Sequence, residues 1–488
     1  MRERKTPPFF AAVLPILVMA LVLGVGFGKY RYSVEVLLLV CSFFTVALGL
    51  FYGASWEEIA EAVSEKVGRS FMAIFIFVFV GMIIGTWMLS GTIPMMIYFG
   101  LKLLSPSMFL VTAFIITAIV SVCTGTSFGS VGTVGLALMG VAAGLGVYPA
   151  AAAGAIISGA YFGDKMSPLS DTTNLAPVAA GTTLFVHIRH MFYTTVPAAL
   201  VSLAVYFAAG RSGNLTGGAE ARAAAEMMEE LAGIFKFSGF LLIPLAIVLV
   251  GSAMGKPTIP VMFTAASAAG ILAVAVQGAS LGSVVTAAFS GFSLTMIPGI
   301  DPETVPPSIS SLVVRGGMTS MMTTILKVLC AFLFAGAMSA SGFMDAILNK
   351  LKTFIYSDGT LVLVTVLSVL IIAVVVGNAY IPILIGGELF RDSFKERGLA
   401  PKNLSRTLED AGTCSIPLVP WSAGGAYMAG TLGVSTFSYG PWAIFCYMGF
   451  IFAVIWGFTG FGIARIQPER KETEGGDGYS ETGHAGEG

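Results

Sequence analysis

Three charged residues lie together in a stretch of the chain that is otherwise free of formal charge. Between residues 103 and 188, only Asp164, Lys165 and Asp171 are charged. Pro168 interrupts any regular helix through this motif, which frees backbone carbonyl groups. Further side-chain oxygens are supplied by Ser167, Ser170, Thr172, Thr173 and Asn174. Because hard monovalent cations prefer oxygen ligands, the motif predicts a cation-binding site.

The Asp171 carboxylate is the predicted ion-binding and proton-exchanging group, because ionisable residues within membrane spans are usually functional. Asp164 and Lys165 would form a supporting ion pair or a second gate. Burial opposes the charged form of a carboxyl group and bound Na⁺ favours it, so Na⁺ and H⁺ would exclude each other at one site. The alternative is structural: Ser170 or Asp171 caps a helix that begins at Thr172, and Lys165 neutralises Asp164 at the membrane edge.

A second acidic cluster, Glu409 and Asp410, begins another segment that is broken by proline, at Pro417 and Pro420. This segment continues with oxygen donors at Thr413, Ser415 and Ser422. Two such segments predict one site to which each half of the chain contributes acidic groups. The alternative assigns Glu409 and Asp410 to the polar connection 391–410.

Two further sets of polar residues are each open to more than one interpretation. Thr126, Ser127 and Asn378 stand at bends in predicted spans, where they either line the same cavity or form ordinary hydrogen bonds between helices. His187 and His190 are interpreted as part of a surface stretch beside the membrane, with pH sensing and metal binding as alternatives. The sequence has no HExxH motif, and no third ligand lies near these histidines.

The rest of the sequence is typical of a polytopic membrane protein. Charged residues make up 11% of the 488 residues, against about 25% in soluble domains. So few charges exclude an ordinary soluble enzyme, and a formal net charge of −1 gives no electrostatic basis for nucleic-acid binding. The five scattered cysteines are interpreted as small apolar residues in spans. Runs without any charged residue cover 70–101, 103–163, 257–300, 359–387 and 411–464.

Each run is long enough for at least one helix across a bilayer, which takes about 20 residues. We therefore predict an all-α membrane protein with 10 to 13 transmembrane helices, some of them broken helices or re-entrant hairpins. A shift of 252 residues aligns Gly125 with Gly377, Gly135 with Gly387, Gly146 with Gly398, Pro149 with Pro401, Pro168 with Pro420, Ser170 with Ser422 and Gly181 with Gly433. Such repeats typify secondary transporters, whose site lies where the repeats meet, and inversion is expected from that architecture.

This pattern predicts six parts of the chain. They are N-terminal spans in 1–69, a first repeat in 70–185, connecting helices in 186–320, a second repeat in 321–435, a last span in 436–466 and a disordered tail in 467–488. Within the connecting part, the polar stretch 211–233 is interpreted as an extramembrane linker with a short surface helix. Three basic residues among the first five favour a cytoplasmic N-terminus.

Two motifs carry a family resemblance: Thr124-Gly-Thr-Ser-Phe-Gly-Ser130, and the run from Gly159 to Ala176 that contains Gly-Asp-Lys-Met-Ser-Pro-Leu-Ser-Asp-Thr-Thr-Asn. They resemble the NhaC-type sodium/proton antiporter family, and the resemblance covers most of the chain. It implies a bacterial or archaeal protein of the cytoplasmic membrane, with inverted repeats and paired re-entrant hairpins. It also implies Na⁺(Li⁺)/H⁺ antiport or, in some members, exchange of malate and protons for lactate and sodium. By motif match alone, it assigns ion binding to Asp164, Asp171, Thr172, Thr173 and Asn174.

Three functions therefore stay open. A Na⁺(Li⁺)/H⁺ antiporter needs only the oxygen-rich site, whereas an exchanger of organic anions or amino acids also needs a carboxylate donor, such as Lys165 or a helix N-terminus. An intramembrane hydrolase would need a nucleophile–base pair or a clustered metal motif, and the sequence offers neither. We expect a transporter without cofactors beyond the transported Na⁺, Li⁺ and H⁺. Its expected partners are the lipid bilayer, small cations and, in the alternative, a small organic acid; a homodimer is left open.

Overall fold

The structure, a computed structural model, describes residues 7–27, 29–30, 32–212 and 220–466. Regular secondary structure in these residues is helical, apart from an isolated β-bridge between Leu399 and Arg465. The helices of the N-terminal half are α1 (Phe9–Gly26), α2 (Val34–Phe51), α3 (Trp56–Ser90), α4 (Thr92–Leu103), α5 (Phe109–Thr124), α6 (Ser127–Ser130), α7 (Leu136–Gly144), α8 (Pro149–Met166), α9 (Asp171–Ala180), α10 (Leu184–Arg211) and α11 (Glu220–Ile234). Those of the C-terminal half are α12 (Ile243–Ala253), α13 (Thr258–Gln277), α14 (Leu281–Ser290), α15 (Pro307–Val313), α16 (Met322–Ala340), α17 (Phe343–Lys352), α18 (Asp358–Val376), α19 (Tyr380–Glu396), α20 (Pro401–Gly412), α21 (Ala423–Leu432), α22 (Thr436–Tyr439) and α23 (Ile444–Thr459).

The described helices confirm the predicted fold class. Nine of them are long and apolar enough to cross a bilayer, or eleven if two bent pairs each count as one span. Large apolar side chains such as Phe10, Leu21 and Phe51 are exposed on their outer surfaces, where lipid replaces water. The chain is an all-α polytopic membrane protein. The helix predicted in the linker is present as α11, whereas the predicted tail lies outside the described residues.

Helices α5 to α7 form a helical hairpin. α5 and α8 run side by side in the same direction, because Gly159 packs on Phe114 and the Ser167 hydroxyl donates to the Val122 carbonyl (2.8 Å). α6 continues through a π-helical turn into α7, and a short connection joins α7 to α8. α7 therefore ends at the face of the protein where α5 began. The hairpin turns at Gly125, whose φ of +65° is a conformation that glycine adopts without strain.

Helices α8 and α9 form one broken span that crosses to the other face. α9 runs parallel to α19, because Gly181 packs on Arg391 and Gly387 packs on Ala179. Helix α10 spans the protein, and its two ends define the two faces. The hydroxyl-rich break between α8 and α9 therefore lies inside the membrane domain.

The two faces are named here by residues that α10 contacts. At its beginning, His190 bonds Asn403 (3.1 Å), and at its end Gly210 packs on Ser107. The first hairpin enters from the Ser107 face. The second hairpin, α18–α19, turns at Gly377 (φ +72°) and enters from the Asn403 face, as does the broken span α20–α21.

The helix boundaries follow the 252-residue shift found in the sequence. α8 and α20 begin at Pro149 and Pro401, and α9 and α21 begin 252 residues apart and end at the left-handed glycines Gly181 and Gly433. We propose on this basis that 70–185 and 321–435 are two inverted repeats. The boundary between 1–69 and 70–185 falls inside α3.

Hairpin tips and span breaks meet at the centre of the molecule. α9 packs on α19 and α20 of the other half, and α21 packs on α3, α6 and α7. The backbone N–H of Ala423, which begins α21, donates to the carbonyl of Gly377 at the second hairpin tip (2.8 Å). The broken helix of each half therefore packs against helices of the other half.

Candidate cation-binding site

A cavity of about 970 Å³ lies where the hairpin tips meet the span breaks. It extends to the exposed residues Arg69 and Lys256. Its polar lining includes residues of both repeats, namely Thr124, Thr126, Ser127, Tyr161, Asp164, Ser170, Asp171, Thr172, Asn378, Tyr380 and Thr413. Seven of the predicted primary or supporting carboxylate and hydroxyl residues thus line one cavity.

Asp164 is the buried carboxylate of this cavity. It is 8% exposed, and its Oδ2 atom accepts the backbone N–H of Ser127 (3.2 Å). Ser127 is the first residue of α6, so the positive end of a helix faces this carboxylate. The hydroxyl groups of Ser127 and Ser170 lie beside it. These hydrogen bonds favour the charged form of the carboxylate, whereas its burial opposes that form.

A second carboxylate joins the site from the other repeat. The Thr172 hydroxyl donates to Oε1 of the fully buried Glu409 (3.1 Å), and it also lies 3.2 Å from the Ser170 hydroxyl. Two buried oxygens, Oε2 of Glu409 and Oγ1 of Thr413, have no hydrogen-bond partner among the described residues. Because such groups are costly to bury unpaired, they fit the role of ligands for a cation.

Lys165 pairs with Asp410 across the repeats, and both side chains are fully buried. The Thr194 hydroxyl donates to the same carboxylate oxygen (3.1 Å). The predicted pairing of Asp164 with Lys165 is therefore wrong. Adjacent residues on a helix point in different directions, so Asp164 faces the cavity while Lys165 faces α20. The assignment of Glu409 and Asp410 to a polar connection is also wrong, because both lie within buried helix α20.

Asp171 lies at the rim of the cavity and is exposed. Its Oδ2 atom accepts the hydroxyl of Tyr380 at 3.5 Å, a long contact. Asn174 is also exposed, and its amide donates to the carbonyls of Pro168 and Ser170 (2.8 Å each), which fixes the turn between α8 and α9. The structure therefore places these two residues outside the buried oxygen cluster.

The remaining predicted hydroxyl groups form hydrogen bonds with the backbone near the helix breaks. The Thr173 hydroxyl donates to the Lys165 carbonyl (3.0 Å), and the Ser415 hydroxyl donates to the Ala411 carbonyl (2.5 Å). Ser422 caps α21 by accepting the Gly425 N–H (2.9 Å). Ser170 occupies the equivalent position before α9 but makes no such bond, so its hydroxyl faces the site instead of capping the helix.

Thr126 and Asn378 occupy equivalent positions at the two hairpin tips. Thr126 accepts the N–H of Gly129 (3.3 Å), and Asn378 accepts that of Ile381 (3.1 Å). Both side chains cap the returning helix and also line the cavity. Both residues therefore line the cavity, and the hydrogen bonds that they accept lie within their own hairpins.

The two histidines are buried, which overturns the prediction of a surface stretch. His187 is 0% exposed and bonds the Ser405 hydroxyl through Nδ1 (2.9 Å), and His190 is 5% exposed. They are covered because α10 packs against α20, a contact between distant segments that the local sequence does not reveal.

Aromatic residues separate the cavity from the Ser107 face. The Tyr427 hydroxyl donates to the Phe128 carbonyl (2.6 Å), and the two rings stack with their centres 4.4 Å apart. Nearer the face, the Tyr206 hydroxyl donates to the Trp442 carbonyl (2.6 Å). These contacts therefore close the cavity towards the Ser107 face.

Sequence reasoning missed Tyr161, Tyr380 and Thr194 as residues of this region. Tyr380 aligns with Phe128 at the 252-residue shift, so the repeat pattern offered a signal for a residue at a hairpin tip. Thr194 carries no such signal, because its partner is distant in the sequence.

Comparisons with known proteins agree with this architecture. Residues 159–461 match the model of the Na⁺/H⁺ antiporter family. An uncharacterized Na⁺/H⁺ antiporter of Haemophilus influenzae is 48% identical over 95% of this chain and 98% of its own length. The Na⁺/H⁺ antiporter NhaC of Alkalihalophilus pseudofirmus is 36% identical (95% and 98%), and the malate-2H⁺/Na⁺-lactate antiporter of Bacillus subtilis is 33% identical (94% and 96%). These matches confirm the predicted resemblance, and the chain belongs to the Na⁺/H⁺ antiporter family.

Proposed function

We propose that this protein exchanges Na⁺ or Li⁺ for H⁺ across the bacterial or archaeal cytoplasmic membrane. The observation that carries the proposal is the buried oxygen cluster between the repeats, made of Asp164, Ser170, Thr172, Glu409 and Thr413. Oxygen-only donor sets suit hard cations. Membership of an antiporter family supports the same function.

Exchange follows from competition for the Asp164 and Glu409 carboxylates. A bound Na⁺ compensates their negative charge in a site that is largely removed from water, and a proton neutralises the same groups. Since the site spans both repeats, movement of one repeat against the other would expose it to alternate faces. Asp164 takes the central role here, because Asp171 is exposed at the rim; we assign Asp171 to cation entry.

We also propose that the Asn403 face is cytoplasmic. Basic residues concentrate at this face, as is usual for cytoplasmic segments, and they are Arg391, Lys395, Arg397, Lys402 and Arg465. The start of α1 lies at this face as well, because Pro7 approaches Gly342 at the start of α17, which leads to α18. In this proposal the cavity, which is closed towards the Ser107 face, opens on the cytoplasmic side.

Proton flux in proteoliposomes with an imposed pH gradient tests the function. Addition of Na⁺ alone should dissipate the gradient in the wild type. Asp164→Asn should lower this flux about 100-fold or more, because the variant loses the exchanging charge, whereas Asp171→Asn should retain most of the flux. The two variants make the same chemical change at two positions of the same motif.

Either of two results would contradict the proposal. Full activity of Asp164→Asn would exclude this carboxylate from the exchange. Loss of flux in Asp171→Asn with activity retained in Asp164→Asn would return the central role to Asp171.

The size of the cavity favours a second candidate, exchange of a small organic anion coupled to sodium and protons. A volume of about 970 Å³ is in the range of pockets for organic ligands and far exceeds the need of a bare cation. Arg69 and Lys256 at its mouth would attract an anion, and a relative of this chain is named as a malate/lactate antiporter. If malate or lactate is required for flux in the same assay, this candidate replaces simple cation/proton exchange.

A further inference from the structure

Helix α20 carries an unusually polar and completely buried surface. Asn403, Ser405, Arg406, Glu409 and Asp410 are each 0% exposed. The helix begins at the Asn403 face and ends at the oxygen cluster, so these side chains form a row of buried polar groups from the face to the site. A buried helix of a membrane domain is normally apolar, because burial of polar groups is costly. This row is separate from the cavity, since none of these five residues lines it.

Some of the polar groups along α20 are hydrogen-bonded to residues of neighbouring helices. At the outer end His190 bonds Asn403 (3.1 Å), and in the middle His187 bonds Ser405 (2.9 Å). At the inner end, the Thr194 hydroxyl donates to Asp410, which pairs with Lys165. The polar groups therefore occur in successive small clusters along α20.

Between these clusters lie buried polar atoms that have no hydrogen-bond partner among the described residues. Among the described residues, no partner is found for Nε2 of His187, Nε and Nη2 of Arg406, Oδ2 of Asp410 or Oε2 of Glu409. Buried polar atoms in proteins are nearly always hydrogen-bonded, to ordered water where no protein group is available. Four of these atoms belong to α20 and the fifth, on His187, belongs to α10 beside it; a file of water molecules between the clusters would satisfy them.

We infer that the polar face of α20 is a hydrated proton path between the Asn403 face and the Asp410–Glu409 end of the site, with His187 as its relay. The inference rests on the proposed function, because the path would deliver protons for the proposed Na⁺/H⁺ exchange by a route other than the cavity. The outer end of the path is close to water, since Asn403 is flanked by the partly exposed Lys402.

The relay step conserves charge. A hydronium ion of the water file gives a proton to Nε2 of neutral His187 and becomes water, while the proton on Nδ1 passes to the Ser405 hydroxyl, which gives its own proton to the next water molecule. The positive charge of Lys165 lies near this buried ring. A cationic imidazole is therefore short-lived here, which suits a relay and not a stable proton store.

Two rates measured on the same proteoliposome preparation distinguish the role of this path from the role of the cation site. The first is dissipation of a pH gradient by Na⁺, which needs net proton movement. The second is exchange of ²²Na⁺ for Na⁺ at equal pH on both sides, which does not. His187→Leu should lower the first rate about 100-fold and leave the second at the wild-type level. Ser405 keeps a partner in this variant, because its hydroxyl also donates to the Lys402 carbonyl (3.1 Å).

Thr407→Val is the matched control. Thr407 is buried on the same helix, but its hydroxyl donates to the Asn403 carbonyl one turn earlier (2.8 Å), so this variant should keep both rates. Equal losses of both rates in His187→Leu would assign the histidine a structural role, and unchanged rates would show that protons do not use the path. Absence of Na⁺-driven proton flux in the wild type would instead overturn the proposed function.

Discussion

At the scale of single residues, the centre of the protein holds charge that is compensated within the molecule. Lys165 and Asp410 come from different repeats and share no contact with solvent. The attraction between two such charges roughly offsets the loss of their hydration, so the pair as a whole adds little stability. Removal of one partner is different, because it leaves the other charge buried and unpaired.

The difference between removing one charge of the pair and removing both leads to a prediction about stability. Lys165→Met should lower the free energy of unfolding by about 3–5 kcal/mol, because the Asp410 carboxylate then stays buried without its cation. The double variant Lys165→Met/Asp410→Leu should lose much less, since neither charge remains. Thermal unfolding of the purified proteins in detergent gives both values. A double variant less stable than Lys165→Met would mean that the pair itself stabilises the fold.

At the scale of elements, left-handed glycines set the positions where helices turn. Gly125 and Gly398 have nearly the same φ, +65° and +68°, but different surroundings. A Cβ atom at Gly125 would lie 2.8 Å from the backbone carbon of Leu169 in the broken span, whereas no atom lies within 4 Å of a Cβ at Gly398. The first glycine therefore allows both a turn and a close approach, and the second allows a turn only.

The two glycines provide a matched pair of variants. Gly398→Ala should cost about 1–2 kcal/mol of stability through backbone strain and keep transport. Gly125→Ala should have the same strain and in addition displace the break between α8 and α9, so Na⁺-driven proton flux should fall strongly. Transport by the two variants, compared at equal amounts of folded protein, decides between these effects. Equal activity would show that the close contact at Gly125 is dispensable.

One glutamine joins three elements near the Ser107 side. The Gln277 amide donates to the carbonyls of Ser90 (2.8 Å) and Lys236 (2.9 Å), and its oxygen accepts the Lys236 N–H (3.0 Å). Gln277→Leu should cost about 1–3 kcal/mol for each buried group left unpaired, which thermal unfolding would detect. Thr264→Val in the same helix is the control, because its exposed hydroxyl bonds Pro260 within α13. Equal melting temperatures for the two variants would contradict this role of Gln277.

The sequence predicts the breaks in these elements better than the contacts between them. Glycine and proline disrupt helices locally, so the turns at Gly125 and Gly377 and the break at Pro168 were visible in the 252-residue pattern. The partner of Lys165 was not, because it depends on which way two helices from different repeats face. The burial of His187 depends in the same way on packing against α20. Local chemistry identified the candidate residues, and tertiary packing decided which of them share a site.

At the scale of the whole molecule, the central cavity is closed on the side of the Ser107 face. The Tyr427–Phe128 stack and the Tyr206–Trp442 hydrogen bond lie between the cavity and that face. Both closures join segments of different repeats or of the peripheral spans. A shift of one repeat against the other would therefore have to break them.

This asymmetry of access predicts a labelling pattern. In a variant without the five native cysteines, Ser252→Cys should react with a membrane-impermeant maleimide in inside-out vesicles and not in intact cells, because Ser252 lines the cavity and the Asn403 face is proposed to be cytoplasmic. Ser158→Cys should react in neither preparation, because Ser158 is fully buried beside the Tyr206 hydroxyl (2.8 Å). Reaction of Ser252→Cys only in intact cells would reverse the orientation, and its reaction in both preparations would mean that the cavity opens to both faces in turn. Na⁺ at saturating concentration should slow the reaction at Ser252→Cys if the cation occupies the cluster at the base of the same cavity.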